Sequence, residues 1–370
     1  MRPTQPPHTF PEPAIVVPAY QFREGRTGGQ RMWRDFVDLW KRHGLPVICE
    51  DEIPAPPSVS RFVPAALWYR KSYGFLRHGV CFVDSSSANR LHLLMRALRR
   101  RPGIRLVVLV HHLRHEFRWM AGPLFRLLQH QENWLLRNAH RVVLHTEKER
   151  NSVISRGVDP SRITLIPLGV EREGPPVVIR DLPPDESMRL LWVGGDFDRK
   201  GMRPLLEAMA REQGPGSVLT VAGAAGSPEE EQRARDNVKR LHLEARTNFL
   251  GHIPRSELRA EHESHDVFVA PSAHEGHGIA VDEALACGLP CLLTDLPAFR
   301  ERLADTDVRF VPVGDITALH QALTDLRGGD LRRRLAKAGA ARAATFPSYE
   351  DTIAGYDVMM RQELELVSRG

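Results

Sequence analysis

Twelve short apolar runs recur along this chain with helical patterns between them, and no other feature constrains its fold as tightly. In the first half they are Ala14–Tyr20, Leu45–Asp51, Gly79–Asp84, Arg105–His111, Arg141–Thr146 and Ile163–Gly169. In the second they are Arg189–Gly195, Ser217–Gly223, Asn248–Ile253, Asp266–Ser272, Pro290–Asp295 and Val308–Gly314. Runs that are apolar at successive positions bury both faces of a strand, and strands that alternate with helices pair in parallel under helices on both sides. Between the sixth and seventh runs, Pro175-Pro176 and Pro183-Pro184 exclude helix and central strand. The expectation is an α/β chain of two Rossmann-like domains: a flexible N-terminus at 1–13, a first domain at 14–175, a linker at 176–186 and a second domain at 187–350. A final helix at 351–370 carries the apolar stripe Ile353, Tyr356, Met360, Leu364 and Val367.

Composition supports two cores. A chain of 370 residues exceeds one ordinary domain, and 42% hydrophobic with 26% charged residues is normal for globular proteins. The proline-rich start, Met1 to Pro13, lacks the apolar core of a secretory signal. No apolar run approaches the roughly 20 residues of a spanning helix. Cys49, Cys81, Cys287 and Cys291 lie in apolar or helical runs and read as reduced, packed thiols, which suits a cytoplasmic protein. The net charge of +5 hides an asymmetry: 28 Lys+Arg against 15 Asp+Glu in residues 1–180, then 23 against 31. Residues 61–141 hold 15 basic and 3 acidic side chains. Within them Trp68, Tyr69, Tyr73 and Phe75 interleave with Arg61, Arg70, Lys71 and Arg77, a composition that suits the inner face of an anionic membrane. A solvated basic face is the alternative, and nucleic acid is set aside.

The segment Pro271 to Pro290 (PSAHEGHGIAVDEALACGLP) follows one of the strand-like runs. Strand, glycine-bearing turn and helix start together make an anion site, because free backbone N–H groups and the helix dipole converge. Glu275 lies in the turn and Glu283 eight positions on. Each carboxylate can meet the hydroxyls of one end of a ligand whose phosphate sits between them, which describes a nucleotide sugar. A second such turn, Gly194-Gly195 followed by Arg199-Lys200, brings a cation to a helix start, where backbone and ammonium together suit a phosphate. His111 and His112 close a strand-like run, where a side chain projects toward a ligand.

The Glu275 segment resembles the signature of the family 4 retaining glycosyltransferases, Glu-Gly-Phe-Gly with a second Glu at this spacing. His277 stands where that family usually has Phe. The resemblance covers nearly all of residues 14–365 and is strongest from 139 onward. It implies the GT-B architecture, two Rossmann-like domains with parallel sheets facing across a cleft, with the last helix crossing back to the first domain. It implies that Glu275 orients donor sugar hydroxyls, Glu283 holds the ribose, and Gly276, His277, Gly278 and Ile279 line the phosphate. Lys200 matches the family's phosphate-binding lysine. The partner arginine, five positions earlier, is replaced by Gly195, which leaves Arg199 or Arg203 as substitutes. Gly28-Gly29 matches a loop against phosphate and acceptor, ahead of a helix expected at Arg31–His43. Ile253 matches the run that meets the nucleobase, and His111 or His112 a histidine near the reacting sugar.

The function read from these residues is transfer of a sugar, with retention, from a nucleotide-diphosphate sugar to an acceptor hydroxyl, with no cofactor or metal. A metal grouping of His111, His115, His274 and His277 is the runner-up for the histidines. A nucleotide-sugar epimerase of the same fold and a non-catalytic sugar-nucleotide binder are the alternatives for the whole chain.

Overall fold

The structure, a computed structural model, describes residues 13–17, 28–49, 78–85, 95–96, 98–111, 113, 122–172 and 174–369. Expectations that fall on His112, His115 and residues 50–77 lie outside these. The chain divides into two compact units, residues 1–167 with 352–370, and residues 168–351.

In the first unit, β1 (Ala14–Val17), β2 (Val47–Cys49), β3 (Gly79–Asp84), β4 (Ile104–Leu109), β5 (Arg141–Leu144) and β6 (Ile163–Leu165) form one sheet in the order β2-β1-β3-β4-β5-β6. In the second, β7 (Met188–Val193), β8 (Ser217–Ala222), β9 (Thr247–Gly251), β10 (Val267–Ala270), β11 (Cys291–Thr294) and β12 (Arg309–Val311) take the order β12-β11-β10-β7-β8-β9. Every neighbouring pair is parallel. All twelve expected runs contain a strand. β3 spans its run in full, and the other strands end before their runs do because pairing stops where the chain turns off the sheet.

Helices α1 (Gly28–Arg42), α2 (Pro123–Asn138) and α3 (Glu147–Ser155) cover the first sheet. The second carries α4 (Met202–Met209), α5 (Pro228–Arg240), α6 (Arg255–Ser264), α7 (Ile279–Ala286), α8 (Pro297–Arg300), α9 (Ile316–Leu326) and α10 (Gly329–Ala343). Helix α11 (Tyr349–Arg369) belongs to the first unit from Thr352 onward. Side chains set the starts of α3, α5 and α9: at α3 the Thr146 hydroxyl accepts from the Glu149 N–H at 3.1 Å, and Glu149 accepts in return from the Thr146 N–H at 3.1 Å.

Each sheet is buried on both faces. In the second unit Leu190, Trp192, Val267, Val269 and Leu292 face one core, while Leu191, Phe268, Cys291 and Leu293 face the other. This period of two within continuous apolar runs is what a doubly covered parallel sheet demands. In the first unit Phe36 of α1 stacks on Tyr356 of α11 with centroids 3.9 Å apart. Glu363 of α11, fully buried, accepts from Arg141 at 2.8 Å and from Arg105.

Two boundaries differ from expectation. Helix α1 begins at Gly28 and not at Arg31, so Gly28-Gly29 is its first turn and not a loop before it. The backbone N–H groups of a first turn have no intrahelical partner, so the two glycines keep the donors a loop would offer. The second unit begins at Leu168, ahead of the expected linker. The intervening chain is fastened to the second unit: the Val177 N–H donates to the Cys287 carbonyl at 2.7 Å, and Arg180 holds Asp266 at 2.6 Å.

Candidate active site

The second sheet reverses its winding between β7 and β10, which pair directly. Ligands of such sheets bind beyond the carboxyl ends of the strands at that switch point. Both turns singled out in the sequence leave from these two strands.

After β7 the chain runs through Gly194-Gly195-Asp196-Phe197-Asp198-Arg199-Lys200-Gly201 into α4. Phe197, buried, meets Trp192 edge to face at 5.3 Å and pins the loop to the core. Asp196 sits in the left-handed region at φ 56°, and its carboxylate accepts from the Arg199 N–H at 3.2 Å and from its Nε at 2.7 Å. The Lys200 side chain passes over Gly194, where a Cβ would lie 2.6 Å from Cδ and Cε. Any other residue at 194 would displace the lysine. At Gly195 a Cβ would meet the Ala224 carbonyl oxygen at 2.9 Å, so this loop has no room for the arginine that the family pattern puts there.

After β10, Glu275 is 7% exposed and receives three donors. These are Lys200 Nζ at 2.9 Å, Arg199 Nη1 at 3.3 Å and Ser272 Oγ at 3.0 Å. Ser272 is itself fixed, its carbonyl accepting from Thr294 Oγ1 at 2.6 Å. Arg199 Nη1 also donates to the His274 carbonyl at 2.7 Å and so ties the two turns together. Burial pushes the Glu275 carboxyl up, but the Lys200 and Arg199 charges outweigh it and hold the group at about 2.

The glycine turn then enters α7. Gly278 caps the helix at φ 87°, and a Cβ there would lie 2.6 Å from Phe299 Cε1. His277 does not fill the place of the family aromatic by packing alone. Its Nε2 lies 2.7 Å from Asp282 Oδ2, Arg302 Nε donates to Asp282 Oδ1 at 3.0 Å, and Arg302 Nη2 donates to the His277 carbonyl at 2.7 Å. Burial raises the Asp282 carboxyl, and Arg302 and His277 together bring it below the usual carboxylate range. Glu283 stands half-buried in the second turn of α7.

The structure therefore brings Lys200, Arg199 and Glu275 into direct contact beside Gly276, Gly278 and Ile279. Arg203 is not among them: its side chain is 70% exposed and pairs with Glu207 at 2.9 Å. Ile253 follows β9, half-buried against the core. His111 belongs to the first unit, beyond β4. Sequence reasoning missed Ser272, Asp282 and Arg302. Only Ser272, three residues before Glu275 at a strand exit, carried a local signal. Among the described residues no group of three or more His, Cys, Asp or Glu side chains is placed to hold a metal.

Residues 34–173 match the model of glycosyltransferase family 4, and residues 180–342 that of glycosyl transferases group 1. Among curated proteins, the chain is 26% identical over 227 residues to a glycogen synthase of Mycobacterium tuberculosis, covering 59% of this chain and 54% of that protein. It is 36% identical over 148 residues to a phosphatidyl-myo-inositol mannosyltransferase of Mycobacterium leprae, covering 39% and 38%. The aligned region thus spans about half the length of these relatives or less. Among solved structures, a sucrose-phosphate synthase from Thermosynechococcus elongatus matches with a TM-score of 0.75 at 20% identity, over 94% of this chain and 98% of that one. Anabaena HepE, solved with UDP and glucose, matches at 0.72 and 15% identity over 94% and 98%. Identities this low speak for the fold alone. With two doubly covered parallel sheets and a glycosyltransferase model on each half, the chain has the GT-B fold and is similar to family 4 glycosyltransferases in its first half and to group 1 glycosyl transferases in its second.

Proposed function

We propose that this protein is a retaining glycosyltransferase that moves a sugar from a nucleotide-diphosphate donor to an acceptor hydroxyl without a metal ion. The observation that carries the reading is the meeting of Lys200 and Arg199 on buried Glu275 at the switch point, next to the first turn of α7. Two cations and the positive end of a helix suit a diphosphate, and their charge stabilises the one that develops as the leaving group departs. Glu275, ionised at neutral pH, accepts hydrogen bonds from sugar hydroxyls and favours positive charge at the anomeric carbon. Arg199 takes the place of the arginine that Gly195 lacks. Glu283 holds the ribose, Ile253 lies against the base, and the departing phosphate receives the acceptor's proton on the face it leaves.

The test is a mass-spectrometric screen of nucleotide sugars with simple sugar and lipid acceptors, starting with UDP-glucose because HepE is solved with UDP. A transferred sugar with retained anomeric configuration, formed in the presence of a chelator, is the expected result. Conversion of the donor with no acceptor present would replace this reading with an epimerase. Binding without turnover of any donor would replace it with a sugar-nucleotide binder.

A further inference from the structure

We propose that Trp33 is a positioning residue that holds His111 neutral with its proton on Nδ1. In the sugar transfer proposed above, on which this role rests, His111 then acts as a hydrogen-bond donor to a sugar or acceptor oxygen and not as a base. Trp33 Nε1 lies 3.1 Å from His111 Nε2. An indole N–H only donates, so the nitrogen it meets must offer a lone pair, and a neutral imidazole with a bare Nε2 carries its proton on Nδ1.

The indole has no freedom to withdraw. Trp33 is 2% exposed, its ring lies 4.6 Å from Phe82 of β3, and Phe36 stands one turn further along α1 at 6.5 Å. Among the described residues, Asp84 and His145 also face His111. Asp84 Oδ2, at the end of β3, is 3.7 Å from Nε2, beyond hydrogen-bond length. The His145 ring, beyond β5, stacks at 5.7 Å, and its own Nδ1 lies 2.9 Å from the Ile166 carbonyl, which can only accept. Burial lowers the basicity of His111 more than Asp84 raises it. The His111 side chain nevertheless keeps 20% of its surface exposed, so the ring is open to a ligand.

The test uses the full chain with nitrogen-15 in its histidines. Two-bond proton–nitrogen correlations show which ring nitrogen is protonated, and the His111 signals are those missing from His111→Asn. The expected wild-type result is a bare Nε2 and a protonated Nδ1 at neutral pH, with charging only below the ordinary imidazole range, and the tautomer is unchanged in Asp84→Asn. Trp33→Phe keeps a ring and removes the donor. It should show the Nε2-protonated form and titrate at higher pH, because Asp84 is then the nearest partner of Nε2. A wild-type His111 that is charged or Nε2-protonated at pH 7 overturns the proposal whatever the enzyme's activity. With a donor that turns over, Trp33→Phe should lower kcat about tenfold at pH 8, with donor KM unchanged. Part of this loss should return at acid pH, where the charged ring again carries a proton on Nδ1. A loss equal at all pH values with the tautomer unaltered would reduce Trp33 to packing and overturn its positioning role. Full activity in His111→Asn, with the tautomer as stated, would remove His111 from the proposed reaction and leave the tautomer intact.

Discussion

Both sheets place their candidate groups beyond the carboxyl ends of their strands, yet they fill that place with opposite chemistry. The second unit gathers full charges: Lys200, Arg199 and Glu275 in one cluster, and Asp282 and Arg302 around His277 in the next. The first gathers Trp33, Phe82, His111 and His145, an aromatic nest in which burial lowers the basicity of His111. A low-dielectric site magnifies fixed charges aimed at a forming anion, whereas uncharged hydroxyls are better sorted by neutral donors of fixed direction. On the function proposed above, that division gives the leaving group to the charged cluster of the second unit.

The sharpest way to break that division is Lys200→Ala. It removes the one ammonium in the charged cluster, and turnover should fall by about two to three orders of magnitude with weaker diphosphate binding. Unchanged kinetics would place the phosphate elsewhere. Glu275→Gln should follow, with turnover down about 100-fold and nucleotide affinity, measured by calorimetry, nearly intact. Equal loss in both would mean that Glu275 serves the phosphate end. The same variant tests the electrostatics. With its folded pKa lowered from 4.5 to about 2, Glu275 contributes stability that is full above about pH 4.5 and fades as pH falls toward 2. The excess of the wild-type urea midpoint over Glu275→Gln should therefore be constant from pH 7 to 5 and shrink below.

Arg199→Ala should lower turnover about tenfold or more, and Arg203→Ala should leave it within experimental error, since only the first touches the cluster. Comparable effects would show that the two arginines share the work. The smallest effect concerns the basic first half. Binding to anionic vesicles, weakening with salt and reduced in Arg70→Ala, Lys71→Ala and Arg77→Ala combined, is expected at about 1 kcal/mol per cation. Co-sedimentation decides, and a protein left in the supernatant with both anionic and neutral vesicles would make a soluble acceptor the better choice.

Local pattern made the sheets legible, because a doubly buried strand announces itself in five or six residues. The paired turns were legible for the same reason: Gly194 to Lys200 and Glu275 to Gly278 are each contiguous. What stayed hidden depends on contacts between distant positions. Arg199 and Glu275 are 76 residues apart, and only their meeting separates Arg199 from Arg203. Trp33 and His111 are 78 apart, and nothing near either residue hints at the other. The departure at Gly195 was visible in sequence, but its cause, the Ala224 carbonyl from the loop after β8, was not. At Gly28-Gly29 the composition suggested a loop, and the helix began there regardless.

Helix α11 gives the chain an order of assembly. Residues 168–351 are contiguous, so the second unit has all its parts once they have left the ribosome. The first unit, begun earlier, then still lacks the ring that stacks on Phe36 and the carboxylate that neutralises Arg105 and Arg141. The half that starts first is thus completed last, and during synthesis it remains the more exposed to capture by chaperones or by neighbouring chains.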